Sequence, residues 1–283
     1  MDRRTLLKRF LIATAVGGSQ AVAASPSGSI LGAIINQASL NEEDEYFIDV
    51  EDTQAAFSRD IVLAGQRFDL LKSVSDRLKR VKREVGYANF SLISFDQALL
   101  YARRFPQIGA FSKEEISFLE EIFYTDANEY GFLGSKVTLK MTEKVSKNEI
   151  KKIPKTGNYL FRQSSVELYE RIRREVGDSI ILTSGVRGVV KQMYLFITKA
   201  VHSGGNLSLA SRSIAPPGHS FHGSGDFDVG KVGYGHRNFT EAFSETDEYK
   251  KLQDLGFVKM RYHEKNPFGV RFEPWHIKVD SAV

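Results

Sequence analysis

The chain has 283 residues, 42% hydrophobic and 26% charged, with a formal net charge of +4 and no cysteine. This composition supports a sizeable core; the lack of cysteine excludes disulfides, thiolate metal sites, a cysteine nucleophile and a lipid-bearing cysteine. Arg3, Arg4, Lys8 and Arg9 against Asp2 put three of the four net positive charges in residues 1–23, so the body is near neutral and no nucleic-acid partner is expected.

Residues 1–23 read as a secretory signal: a basic start, a short apolar run from Leu11 to Val16, and Ala21-Val22-Ala23 as a small-x-small cleavage pattern. Arg3-Arg4 followed by Leu6, Leu7 and Lys8 has the look of a twin-arginine leader, with Asp2 where Ser or Thr is usual. The apolar run falls short of the ~20 residues that span a bilayer, so no stable membrane span is expected once the leader is cleaved. The sequence thus predicts an exported, periplasmic protein. Residues 24–50 read as a linker, Ser/Gly-rich and then acidic from Asn41 to Glu45.

Residues 51–155 read as a mainly helical region. From about 52 to 84, Ala56, Ile61, Leu63, Phe68, Leu71, Val74, Leu78 and Val81 fall on one broad helical face. Two more helices are expected between 95 and 131, broken near Pro106 and Gly109, with Ser112 and Glu115 at capping-box spacing. Asp126 to Gly131 starts like a calcium loop but has Val137 where a bidentate Glu belongs, and reads as a helix-ending turn. Lys136 to Lys155 is a basic, β-leaning connection.

In residues 156–283 the pattern alternates. Helices are expected at Ser164–Val176, Val189–Val201 and Glu245–Leu255, and a long polar loop from Gly204 to Pro217. Strands are expected at Ile180–Thr183, Phe227–Val229, Phe257–Tyr262 and Val270–Val279. The sum is an α+β fold with few strands.

The chemistry is concentrated in this part. Two histidines and a carboxylate suffice for a catalytic zinc, which takes three protein ligands and keeps one position open. His222 and Asp228 lie close across a glycine-rich turn, and His276 comes from a distant strand. Glu273, three residues before His276, can take a proton from a water at such a site and return it to a leaving amine. Arg187 follows a buried strand in Thr183-Ser-Gly-Val-Arg-Gly188, a turn that aims a cation at one place, and arginine suits carboxylate geometry. Trp275 reads as core. Arg261 and Arg271 read as ion-pair residues, and His219 as a surface residue or a partner behind the site.

Pro216-Pro-Gly-His-Ser-Phe-His222, a glycine-rich turn, Asp228 and then Glu273-Pro-Trp-His276 resemble the VanY branch of the LAS metallopeptidases, over residues 157–279. The resemblance implies a small antiparallel sheet with flanking helices carrying a zinc site, as in LAS and hedgehog-like folds. It implies Zn2+ held by His222, Asp228 and His276, with Glu273 as base and Arg187 on the oxyanion or the substrate carboxylate. Ser220 and Gln192 match positions near the substrate. The implied activity is hydrolysis of the terminal D-alanine of peptidoglycan stem peptides. L,D-carboxypeptidase or endopeptidase action on the same scaffold, or a binding module with a degenerate site, are the alternatives. One spacing departs: five residues, not six, separate His222 from Asp228. His219 with Asp226 would restore the gap. With His222 and Asp228 as ligands, Asp226 becomes a partner behind a ligand, a replacement ligand or a contact to the substrate amine.

Overall fold

The structure, a computed structural model, describes residues 56–280. The leader at 1–23, the linker at 24–50 and the start of the helical region lie outside the described residues.

The first long helix, α1 (Gln66–Val85), is bracketed by Gly65 and Gly86, and it buries Leu71, Val74, Leu78 and Val81 at helical spacing. A single turn, α2 (Tyr87–Phe90), leads to α3 (Phe95–Arg104) and α4 (Lys113–Tyr124). Capping boxes start both: Ser94 with Gln97, and Ser112 with Glu115 as the spacing predicts. Asp126 caps a 3-10 turn at Ala127–Tyr130, ended by Gly131 in the left-handed region.

The helical expectation is corrected at 56–65, residues 52–55 lying outside the described residues. Residues 56–65 are irregular and run across the start of a later helix, with Leu63 N–H donating to Gly205 O and Ile61 N–H to Ser208 Oγ. Ile61 and Leu63, two apart, pack as an extended strap pinned by Asp60 on Arg212 and Asn206.

The basic stretch after residue 136 is largely irregular. It ends in the hairpin of β1 (Ile150–Lys152) and β2 (Tyr159–Phe161). Helix α5 (Ser164–Val176) has the expected bounds. Strand β3 (Ile180–Ser184) is followed by α6 (Val189–His202), which is buried on every side from Val189 to Ala200. Even its polar Lys191, Gln192, Thr198 and Lys199 are buried, so the helix lies within the core. Its covers include α1, whose Ser75 hydroxyl meets Thr198 at 2.9 Å, and Phe90, edge-on to Tyr194 at 5.6 Å. The core thus runs without a break across the compositional boundary at 155/156.

The loop expected from 204 to 217 contains a short helix, α7 (Leu207–Ser211), capped by the Asn206 side chain on Leu209 N–H at 2.7 Å. Strand β4 (Phe227–Lys231) and helix α8 (Asp247–Asp254) follow near their expected places. The last two strands shrink to β5 (His276–Ile277) and an isolated bridge from Met260 to Ile277. Pro274, inside the last expected strand, lacks a ladder donor, and the Asn266 side chain binds Val270 O in the turn between the two.

The fold is α+β: a three-stranded antiparallel sheet ordered β3-β4-β5, a separate two-stranded hairpin, and eight α-helices among the described residues. No described helix is long and apolar enough to cross a membrane. The register sets Ser184, Asp228 and His276 side by side across the sheet, with a bulge at Thr183 just before the Arg187 turn.

Candidate metal centre

Asp228 sits on the middle strand and is fully buried. Its Oδ2 accepts from Arg187 Nη2 at 2.7 Å and lies 3.2 Å from His222 Nε2, while its Oδ1 lies 3.2 Å from His276 Nδ1. The two imidazoles are oriented from behind. His222 Nδ1 is 2.9 Å from the Gly185 carbonyl, which can only accept, so Nδ1 carries hydrogen and Nε2 presents a lone pair. His276 Nε2 is 3.0 Å from the Asp226 carboxylate, so in the neutral ring Nδ1 is the bare nitrogen.

These three side chains can each offer one atom within 4.8 Å of the others, and all are buried. His222 Nε2 and Asp228 Oδ1 are buried without a hydrogen-bond partner. Such orphaned atoms are costly unless something fills the space between them. The donor set of two imidazoles and one carboxylate fits a catalytic zinc.

Glu273 and His276 share a tight turn closed by His276 N–H on Glu273 O. It brings Glu273 Oε2 to 3.6 Å from His276 Nδ1. Arg187 reaches the same place, braced by Ser184 Oγ at 3.0 Å. The cavity they enclose, about 20 Å³, is lined also by Ser220, Tyr262 and Ala215. That is room for one water-sized occupant.

The electrostatics divide the two histidines. Burial, with the Arg187 charge beside it, pushes His222 down to about 4 despite Asp228. Burial also disfavours charge on His276, but the carboxylates of Asp226, Asp228 and Glu273 around it outweigh this and hold that ring well above its usual value. Burial opposes the charge on Asp228, yet His222 and Arg187 keep its carboxyl below the usual range. Tyr262, its ring 4.7 Å from His276, is raised well above by burial and then by Glu273 and Asp226.

Residues 162–279 match the family described as VanY, D-alanyl-D-alanine carboxypeptidase. This segment is VanY-like. Among solved structures, the chain is similar to a vancomycin-resistance D,D-pentapeptidase VanY from a VanB-type resistance cassette, crystallised as a point mutant in complex with Zn(II). The two share 22% identity over 46% of this chain and 78% of that one, with a TM-score of 0.38. No curated protein matches the chain.

Within the VanY-like segment the structure gathers His222, Asp228, His276, Glu273, Arg187 and Ser220 around one cavity. Two expected substrate residues stand elsewhere. Asp226 is buried behind His276, with Arg261 held in a fork at 2.7 and 2.9 Å and Val279 N–H at 2.9 Å, so it has no face toward a substrate. Gln192 does not line the cavity either: its Nε2 donates to Ala215 O at 2.6 Å and holds the wall loop from outside. His219 is turned away, with Nδ1 on Gly134 O at 3.1 Å, so the His219–Asp226 pairing is not made. Arg261 forms the expected ion pair, with Asp226. Ser184, inside the Thr183–Gly188 turn, and Tyr262, at the end of the Phe257–Tyr262 segment, were given no role of their own; the sheet register and the bridge near Tyr262 bring them to the site.

Proposed function

We propose that this chain is a zinc-dependent carboxypeptidase that removes the terminal D-alanine of peptidoglycan stem peptides after export. The observation that supports it best is the convergence of His222 Nε2, His276 Nδ1 and the Asp228 carboxylate on one cavity that also receives Glu273 and Arg187. The match of residues 162–279 to the VanY family supplies the substrate class.

His222, Asp228 and His276 would hold the ion. When bound there, zinc supplies a Lewis acid that polarises a carbonyl and makes water more acidic. Glu273 takes the proton from the attacking water and returns it to the leaving amine. Arg187 presents N–H donors toward the oxygen that gains charge, and its braces on Ser184 and Asp228 preorganise it. Ser220 borders the same space and offers a hydroxyl to the peptide. Asp226 and Arg261 keep the His276 ring from turning.

The test is D-alanine release from a stem pentapeptide by zinc-loaded protein, with L,D-linked and cross-linked peptides alongside. Glu273→Gln is expected to keep its zinc and lose about 10²- to 10⁴-fold in rate. Asp228→Ala is expected to lose the zinc itself. Release that survives Glu273→Gln unchanged would overturn the mechanism. Zinc and peptide binding with no hydrolysis of any peptide would turn the reading to a binding module.

A further inference from the structure

Glu273 is the base of the proposed reaction, and its backbone is fixed on two sides. Its N–H donates to Tyr262 O at 2.9 Å, and its carbonyl accepts from His276 N–H. The side chain is less constrained, because the torsion that turns a carboxylate is soft. Which way its two oxygens face needs a separate cause. Oε2 lies 3.6 Å from His276 Nδ1, on the metal side. Oε1 lies 4.0 Å from Arg271 Nε.

Arg271 is itself held in place. Its backbone N–H donates to Arg212 O at 2.9 Å, and its Nη2 donates to Phe239 O at 3.3 Å. Its guanidinium carbon stands over the Trp275 ring, 5.4 Å from the centroid. The side chain is only 14% exposed. Its Nε is buried and has no hydrogen-bond partner. A buried donor left unmet is costly, so a purely structural ion pair would be expected to close on it. At 4.0 Å the contact is too long for a hydrogen bond. Contacts in catalytic sites are often long before substrate binds and tighten in the complex.

Arg271 does not line the metal cavity, whereas Glu273 and Arg187 do. It therefore reaches the reaction only through Glu273. Without Arg271, the pull on Glu273 comes from inside the cavity, where Arg187 stands. A carboxylate drawn onto Arg187 would occupy donors that the peptide needs.

We propose that Arg271 is a positioning residue for Glu273. It holds Oε1 from outside the cavity, so that Oε2 faces the attacking water rather than Arg187. The catalytic consequence rests on the peptidase reading; the contact between the two side chains does not.

The test is a double-substitution cycle on zinc-loaded full-length protein, with D-alanine release from a stem pentapeptide as the rate. Arg271→Met keeps a stem over Trp275 and removes the charge. It should lower kcat about 10- to 100-fold, with KM within about twofold and one zinc still bound per chain. Arg271→Lys, the milder change, should recover part of the rate, and it carries the same cycle where Arg271→Met does not fold. In the Glu273→Gln background, adding Arg271→Met should change the rate by less than about twofold, because the group it positions is already disabled. A residue that only packs on Trp275 would lower the rate by the same factor in both backgrounds, and that result would overturn the proposal. If wild-type protein cleaves no peptide, the peptidase reading fails, and chemical denaturation of the same four proteins judges the contact. A stability loss from Arg271→Met that shrinks in the Glu273→Gln background supports it, and equal losses in the two backgrounds overturn it.

Discussion

A metal site depends on where lone pairs point, and here two residues outside the ligand set decide that. Gly185 O fixes the His222 tautomer, and Asp226 fixes that of His276. Asp226→Asn keeps the size of the side chain but removes the charge that holds both Arg261 and the ring. Zinc affinity, measured by competition with a chromophoric chelator, should fall about 10- to 100-fold. An unchanged affinity would mean that Asp226 is only an ion-pair anchor for Arg261. The five residues His222, Asp228, His276, Glu273 and Arg187 were legible because two short motifs and one turn carry them. Of the three roles open to Asp226, the structure shows the partner behind a ligand, and Gln192 braces the wall loop at Ala215; nearness in sequence does not say which way either side chain faces. Asp226 looks like a neighbour of Asp228, but the two carboxylates approach opposite nitrogens of one imidazole.

At the scale of elements, the loops around the cavity are held by a segment outside the VanY-like match. Val137 and Thr138 N–H both donate to Gly218 O, and Leu133 N–H donates to Phe268 O. Phe132 is fully buried, stacked edge-on against His219 at 5.6 Å, in a cluster with Phe221 and Tyr262. Gly218 must be glycine: its φ is +87°, and a Cβ would come within 2.9 Å of Thr138 O. Phe132→Ala should cost about 3–5 kcal/mol, read as a lowered denaturation midpoint. A loss under about 1 kcal/mol would show that the segment merely lies over the loops rather than packing into them. Helices with capping boxes or a glycine stop were visible in the sequence, α5 to the residue. The strap at 56–65 and the braced loops were not, because their hydrogen bonds go to partners more than a hundred residues away or across tight glycine contacts.

For the whole molecule the question is whether the VanY-like segment stands alone. Composition predicted a sizeable core, and helices on both sides of residue 155 build it. Helix α6 belongs to the VanY-like segment, yet part of its surface is covered by α1 and α3 and by Phe90 of α2. Removing the first 156 residues would expose Val190, Tyr194 and Ile197, each now at most 1% accessible. Fully burying a large apolar side chain is worth about 1.5–3 kcal/mol, and net stability is only about 5–15 kcal/mol, so uncovering three such residues takes a large share of what a domain has. Residues 157–283 expressed alone should therefore be insoluble or lack a cooperative thermal transition, while residues 56–283 should fold. The comparison needs only circular dichroism and gel filtration. A monomeric, cooperatively melting 157–283 fragment that still binds one zinc would show that the earlier helices serve some purpose other than completing the core.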